Sequence, residues 1–150
     1  MTLPLTSRLR EIVDRILEIP GRLGPEAVGA ACSIVLHEVA CANPQVREYR
    51  GQSNGEPFTS VTFRGPATPS NRQGTVVLEI RSDARLTRAL LRDCFELRLE
   101  HVEIDSHVPP DGVVSFREQH PGRALMLDFD IESGMLRMVS VHESTEFPHR

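Results

Sequence analysis

Residues 124–141 read ALMLDFDIESGMLRMVSV, and this stretch decides the fold. Leu125, Leu127, Phe129 and Ile131 alternate with Ala124, Met126, Asp128 and Asp130, the period of a strand with one apolar and one wet face. Ser133-Gly134 supplies a turn and Leu136 to Val141 pairs back. The stretch is therefore a β-hairpin whose register is pinned by its apolar face. That face needs a second layer to cover it.

The same reading extends upstream. Val113 to Phe116 is another strand, entered through the turn Pro109-Pro110-Asp111-Gly112. Leu97 to His107 also has strand period, but Leu97 and Leu99 are out of phase with Val102 and Ile104. This predicts a bulge or an element boundary near Glu100. Thr75 to Arg81 puts Val76, Leu78 and Ile80 on one face, and Phe58 to Arg64 is β-branched and aromatic, so both are strands. Gly65 to Gly74, rich in Pro, Ser, Asn and Gly, reads as an exposed loop. Ser82-Asp83 or Thr87 caps a helix reaching about Phe95, with Leu86, Ala89, Leu90 and Cys94 as its buried stripe.

The covering layer comes from the N terminus. Leu5, Leu9, Ile12, Val13, Ile16, Leu17 and Ile19 form the stripe of an amphipathic helix, capped by Thr6 or Ser7 and stopped at Pro20-Gly21. A second helix begins at Pro25-Glu26 and is expected to run to Ala42, where Asn43-Pro44 ends it. It is apolar almost all round, with Gly29, Ala30, Ala31 and Ala40 allowing close approach, so it suits a central buried helix or a homodimer interface over 26–42. The expected class is α+β: a helical hairpin plus one further helix on one face of an antiparallel sheet of about five to six strands. Residues 1–142 are read as a single domain and 143–150 as a C-terminal tail.

Composition excludes several functions. Seventeen basic against twenty-one acidic side chains leave −4, which argues against a nucleic-acid or anionic-membrane partner. All the basic residues are arginine, so a lysine Schiff base and a phosphate-loop lysine are impossible. With no Trp and one Tyr, stacking platforms for single strands are nearly lacking. Cys32, Cys41 and Cys94 are odd in number and lack a Cys-x-x-Cys pair, which suits free thiols in a reducing cytoplasm. The first twenty residues carry too many charges for a secretory core, and no run approaches the ~18 apolar residues of a membrane span.

Two constellations have metal-ligand chemistry. His37-Glu38-Val39-Ala40-Cys41 is similar to the His-Glu-x-x-His pattern of zinc proteases, with cysteine in place of the second histidine. On a helix His37 and Cys41 would share a face, and a third ligand would complete a site. His101, Glu103, Asp105 and His107 alternate along a strand, so a pair of them plus a remote ligand could hold an ion. The simpler reading of that alternation is a solvated strand face. Arg47, Arg50, Arg64 and Arg72, with Tyr49, gather around two loops and form a secondary candidate for clamping a phosphate or carboxylate. No catalytic residue, cofactor or metal is assigned, since neither a nucleophile elbow nor a dinucleotide loop nor a Cys-His signature is present.

The charge layout carries more. Residues 1–75 hold eight arginines and seven acids, whereas residues 76–150 hold nine arginines and fourteen acids. Glu100, Glu103, Asp105, Asp128, Asp130 and Glu132 are the expected partner-binding set, presented by sheet to a basic protein. In size, acidity and layout the chain resembles, in outline only, two kinds of small bacterial adaptor: immunity proteins that neutralise a cognate toxin, and dimeric type III secretion chaperones. The leading expectation is a cytoplasmic, non-catalytic immunity protein acting by steric occlusion and charge steering. A chaperone dimerising through helix 26–42 is the alternative, and a metal-dependent hydrolase built on His37/Cys41 or His101/His107 is a second.

Overall fold

The computed structural model describes residues 4–53, 55–68, 73–97 and 113–143, together with the backbone of 102–105. Helix α1 spans Leu5–Leu17 and α2 Pro25–Cys32. Strands β1 to β4 follow at His37–Val39, Val46–Gln52, Phe58–Pro66 and Thr75–Ile80. A 3-10 turn at Ser82–Ala84 and the four-residue helix α3, Arg88–Leu91, lead to β5 at Val102–Asp105. Strands β6 at Val113–His120, β7 at Arg123–Asp130 and β8 at Leu136–Glu143 are the last elements among the described residues.

All eight strands join one antiparallel sheet in the order β1-β2-β3-β4-β8-β7-β6-β5. Each half of the chain makes a four-strand meander, and β4 against β8 stitches the two. The α+β class stands, but among the described residues the sheet has eight strands rather than five or six. The additional pair, β1 and β2, carries few apolar residues. His37, Glu38, Arg47, Glu48 and Arg50 give it none of the alternation that marks a half-buried strand.

The hairpin over β7 and β8 forms as its alternation predicts, with Gly134 at φ +72° in the turn. Leu125, Leu127 and Phe129 are buried against the helices, while Ile131 falls in the turn and is exposed. Leu9, Ile12, Val13 and Ile16 of α1 share one core with Val28 and Cys32 of α2 and with Phe58, Val61, Phe63, Val76, Leu78, Phe116, Val139 and Val141 of the sheet. Phe116 meets Phe129 edge-on at 5.6 Å. Burial pushes the Cys32 thiol up to about 12.

Three helical expectations are corrected. Thr6 and Ser7 lie inside α1, which starts directly after Pro4. The second helix stops at Cys32, not Ala42. Ser33 adopts the left-handed conformation at φ 59°, and the Ile34 N–H bonds back to the Gly29 carbonyl at 2.9 Å. Ile34 and Val35 then lead into β1, where β-branched residues are better placed than in a helix. A homodimer helix over 26–42 therefore does not exist, and the apolar side of α2 faces the chain's own core. The third helix shrinks to α3, capped by Thr87, whose hydroxyl accepts from the Leu90 N–H at 3.3 Å. Leu91 is its buried residue, with Leu86 before it and Phe95 after it also buried, whereas Ala89 and Leu90 face solvent. The break expected near Glu100 and the turn 109–112 lie outside the described residues, as do residues 144–150 of the expected tail.

Buried polar side chains tie the layers. Arg123 donates to the carbonyls of Leu17 and Ile19 at 2.8 Å and to those of Ile16 and Gly21, closing the C-terminal end of α1. Glu118 accepts from Arg10 of α1 at 3.0 Å, from the Glu96 N–H at 2.9 Å and from His120. No helix among the described residues is long and apolar enough to cross a membrane.

Candidate functional site

Both long helices pack on one face of the sheet, and among the described residues nothing packs on the other. The register sets the backbone positions of that uncovered face in cross-strand rows. One row runs Gln52, Ser60, Glu79, Met138, Asp128, Ser115 and Glu103 from β2 to β5. Next to it, Arg50, Thr62, Val77, Ser140, Met126 and Arg117 form a second. Beyond a bulge between Asp128 and Phe129, Asp105, Val113 and Asp130 form a short third.

Four of the six expected partner-binding residues therefore stand in two adjacent rows. Glu103 pairs with Ser115, which pairs with Asp128; Asp105 pairs with Val113, which pairs with Asp130. The Asp128 carboxylate accepts from the buried Ser115 hydroxyl at 2.6 Å. The Ser133 N–H, bonding at 3.0 Å, holds the Asp130 carboxyl below its ordinary value, with Arg137 at 3.7 Å assisting. Glu132 is exposed in the β7–β8 turn, and Glu100 lies outside the described residues. Sequence reading missed Glu79, which the β4–β8 pairing brings into the acidic row. No local signal reveals that long-range pairing.

Beside these acids is a cleft of about 830 Å³ whose lining includes Glu79, Ile80, Val113, Asp128, Asp130, Met135, Leu136 and Met138. The carboxylates share that lining with Arg137, Thr59, Ser82 and Ser133 as well as with apolar side chains. Such a surface fits a cation carried on an aliphatic stem better than a naked ion.

The arginine set is differently placed. Arg50 and Arg64 both grip the buried Glu48, at 2.9 and 2.6 Å, and Arg64 with Arg50 holds that carboxyl below its ordinary value. Arg47 lies on the opposite side of β2, 3.9 Å from Glu38. An anion clamp would compete with these internal carboxylates. Arg72 lies outside the described residues.

The metal candidates fare similarly. His37 is on β1 and Cys41 follows that strand's end, so the helical face that would have joined them is not formed. His101 and His107 lie outside the described residues. Among the described residues no three His, Cys, Asp or Glu side chains converge as a metal's ligands. One serine–histidine pair sits mid-sheet, with Ser140 Oγ 3.0 Å from His142 Nε2 and Thr75 Oγ1 3.4 Å from Nδ1. Burial pushes His142 down, favouring the neutral ring. β8 is laddered on both sides, so its N–H groups are committed to β4 and β7 and offer nothing to a developing oxyanion.

No protein-family model matches the chain, nor does any curated protein or solved structure.

Proposed function

We propose that the protein is a cytoplasmic, non-catalytic binding module of bacterial type that docks a basic protein on the uncovered sheet face, and that it neutralises a cognate toxin by covering its working surface. The observation that supports this is the register of Asp128 and Asp130 with Glu103 and Asp105 on a face the helices leave bare. Opposed charge of this kind raises the association rate and rejects wrong partners, while contact area supplies the occlusion. No cofactor enters this reading.

The test is co-expression with the product of the neighbouring reading frame. The wild-type chain should restore growth against that product. The variant Glu103→Gln, Asp105→Asn, Asp128→Asn, Asp130→Asn should associate at least about tenfold more slowly at low salt and lose most of its salt dependence. Unchanged association kinetics in the folded variant would remove the acidic face from the mechanism.

A further inference from the structure

We propose that His120 is a modification site, an imidazole nucleophile that takes an acyl group from an activated ester or thioester. The proposal goes beyond the docking reading and uses none of its residues. His120 shares the core-facing side of β6 with Phe116 and Glu118, away from the uncovered face. It lines a cleft of about 500 Å³ whose other charged groups are Arg10, Arg92, Asp93, Glu96 and Glu118. Among the described histidines only this one bonds a carboxylate, with Nε2 2.5 Å from Glu118 Oε1. Glu118 is buried and also accepts from Arg10 at 3.0 Å and from the Glu96 N–H at 2.9 Å, and these donors keep it ionised. An ionised carboxylate only accepts, so Nε2 carries the proton and the neutral ring keeps its lone pair on Nδ1. No other described residue bonds the ring. A carboxylate on one ring nitrogen raises the basicity of the other.

The rest of the sequence removes the usual competitor. Every basic residue is arginine, so no lysine amine is present to take acyl groups. Burial pushes the Cys32 thiol up to about 12, which leaves it protonated and unreactive at neutral pH. The cleft also selects the electrophile. Asp93 and Glu96 are exposed in its lining and oppose a dianionic phosphoryl group, whereas a neutral acyl group meets no such repulsion. Arg92 is exposed there too, and its guanidinium N–H groups suit the carbonyl oxygen that becomes anionic during attack. In the step itself the Nδ1 lone pair forms a bond to the carbonyl carbon. The donor's bond from that carbon to oxygen or sulfur breaks, and the oxyanion or thiolate leaves with the electron pair. The positive charge on the ring is met by Glu118, to which the Nε2 proton passes. The chain is the acceptor of this group and not the catalyst of a turnover.

The probe is p-nitrophenyl acetate, a neutral activated ester, added to the full chain at neutral pH. Acid quenching, peptic digestion and mass spectrometry then locate the acetyl group. His120 should be labelled about tenfold faster than His37, which is exposed on β1 and bonds no carboxylate. Glu118→Gln should slow the labelling of His120 by about tenfold and leave that of His37 unchanged, a split that general loosening of the fold would not produce. Circular dichroism verifies that this variant is folded, and if it is not, the place of the label in the wild-type chain decides alone. His120→Gln should lose the fast label altogether. Labelling of His120 no faster than that of His37 would overturn the inference. So would a fast label found on Cys41, Cys94 or the N-terminal amine and kept in His120→Gln. A folded Glu118→Gln chain whose His120 reacts at the wild-type rate would show that the carboxylate does not activate the ring, and the inference would fall with it.

Discussion

Glu118 shows how a single residue can escape sequence reading. It sits on the core-facing side of β6, opposite Leu125, where alternation predicts an apolar side chain. It is buried, and its cost is offset by hydrogen bonds from Arg10, His120 and the Glu96 N–H. Arg123 is hidden in the same way, satisfied by four carbonyls near the end of α1. Arg10 and the carbonyls that Arg123 reaches lie about a hundred residues away along the chain, so local pattern cannot supply them. Burial pushes the Glu118 carboxyl up, but the Glu96 N–H, His120 and Arg10 outweigh it and the folded value is lowered below 4.5. A lowered folded value means stability that is fully present above about pH 4.5 and is lost as pH falls through the folded value. Glu118→Gln should cost about 1–3 kcal/mol at neutral pH. The gap between variant and wild type should shrink steadily below that window. Urea unfolding across the range measures both; a gap that held constant into acid would mean that the charge of Glu118 contributes nothing.

At the scale of elements, the apolar run after Pro25 supports helix or strand almost equally, because period cannot be read where nearly every residue is apolar. Packing decides it at Gly29. A Cβ there would stand 2.7 Å from the Ile34 carbonyl oxygen, and one at Gly51 of β2 would stand 2.8 Å from that of Val35. The segment after α2 thus runs between two glycines that leave room for its backbone, which carries the chain out of the helix and into β1. The glycines were visible in the sequence, but their role as a slot for residues 34 and 35 depends on β2, which sequence pattern did not reveal. Gly29→Ala puts a methyl group against backbone rather than against a flexible side chain. It should destabilise by about 1–3 kcal/mol, although alanine is the better helix former by roughly 1 kcal/mol. Thermal unfolding no lower than wild type would show that helix propensity outweighs the close approach, and that α2 ends at Cys32 for another reason.

For the whole molecule, the uneven charge of the two halves was legible before any element was placed, and topology turns it into a direction in space. The order β1-β2-β3-β4-β8-β7-β6-β5 keeps the first meander on one side and the second on the other. Strands β1 to β4 therefore form one flank of the sheet and β5 to β8 the other, with Glu79 of β4 standing at the junction. Had the second meander been interleaved with the first, the same composition would have given an evenly charged sheet. The β4–β8 junction is what preserves the asymmetry, and it also adds Glu79 to the acidic row. A molecule charged in this way should meet a positive surface by its acidic flank, because field and contact both concentrate there. Anion-exchange elution reads this directly. Neutralising Glu79, Glu103 and Asp105 changes net charge as much as neutralising Glu18, Glu26 and Glu38, but should lower the eluting salt by clearly more. If the two triple variants eluted together, the charge would act as though spread evenly, and a steered approach of the acidic flank to a basic partner would lose its physical basis.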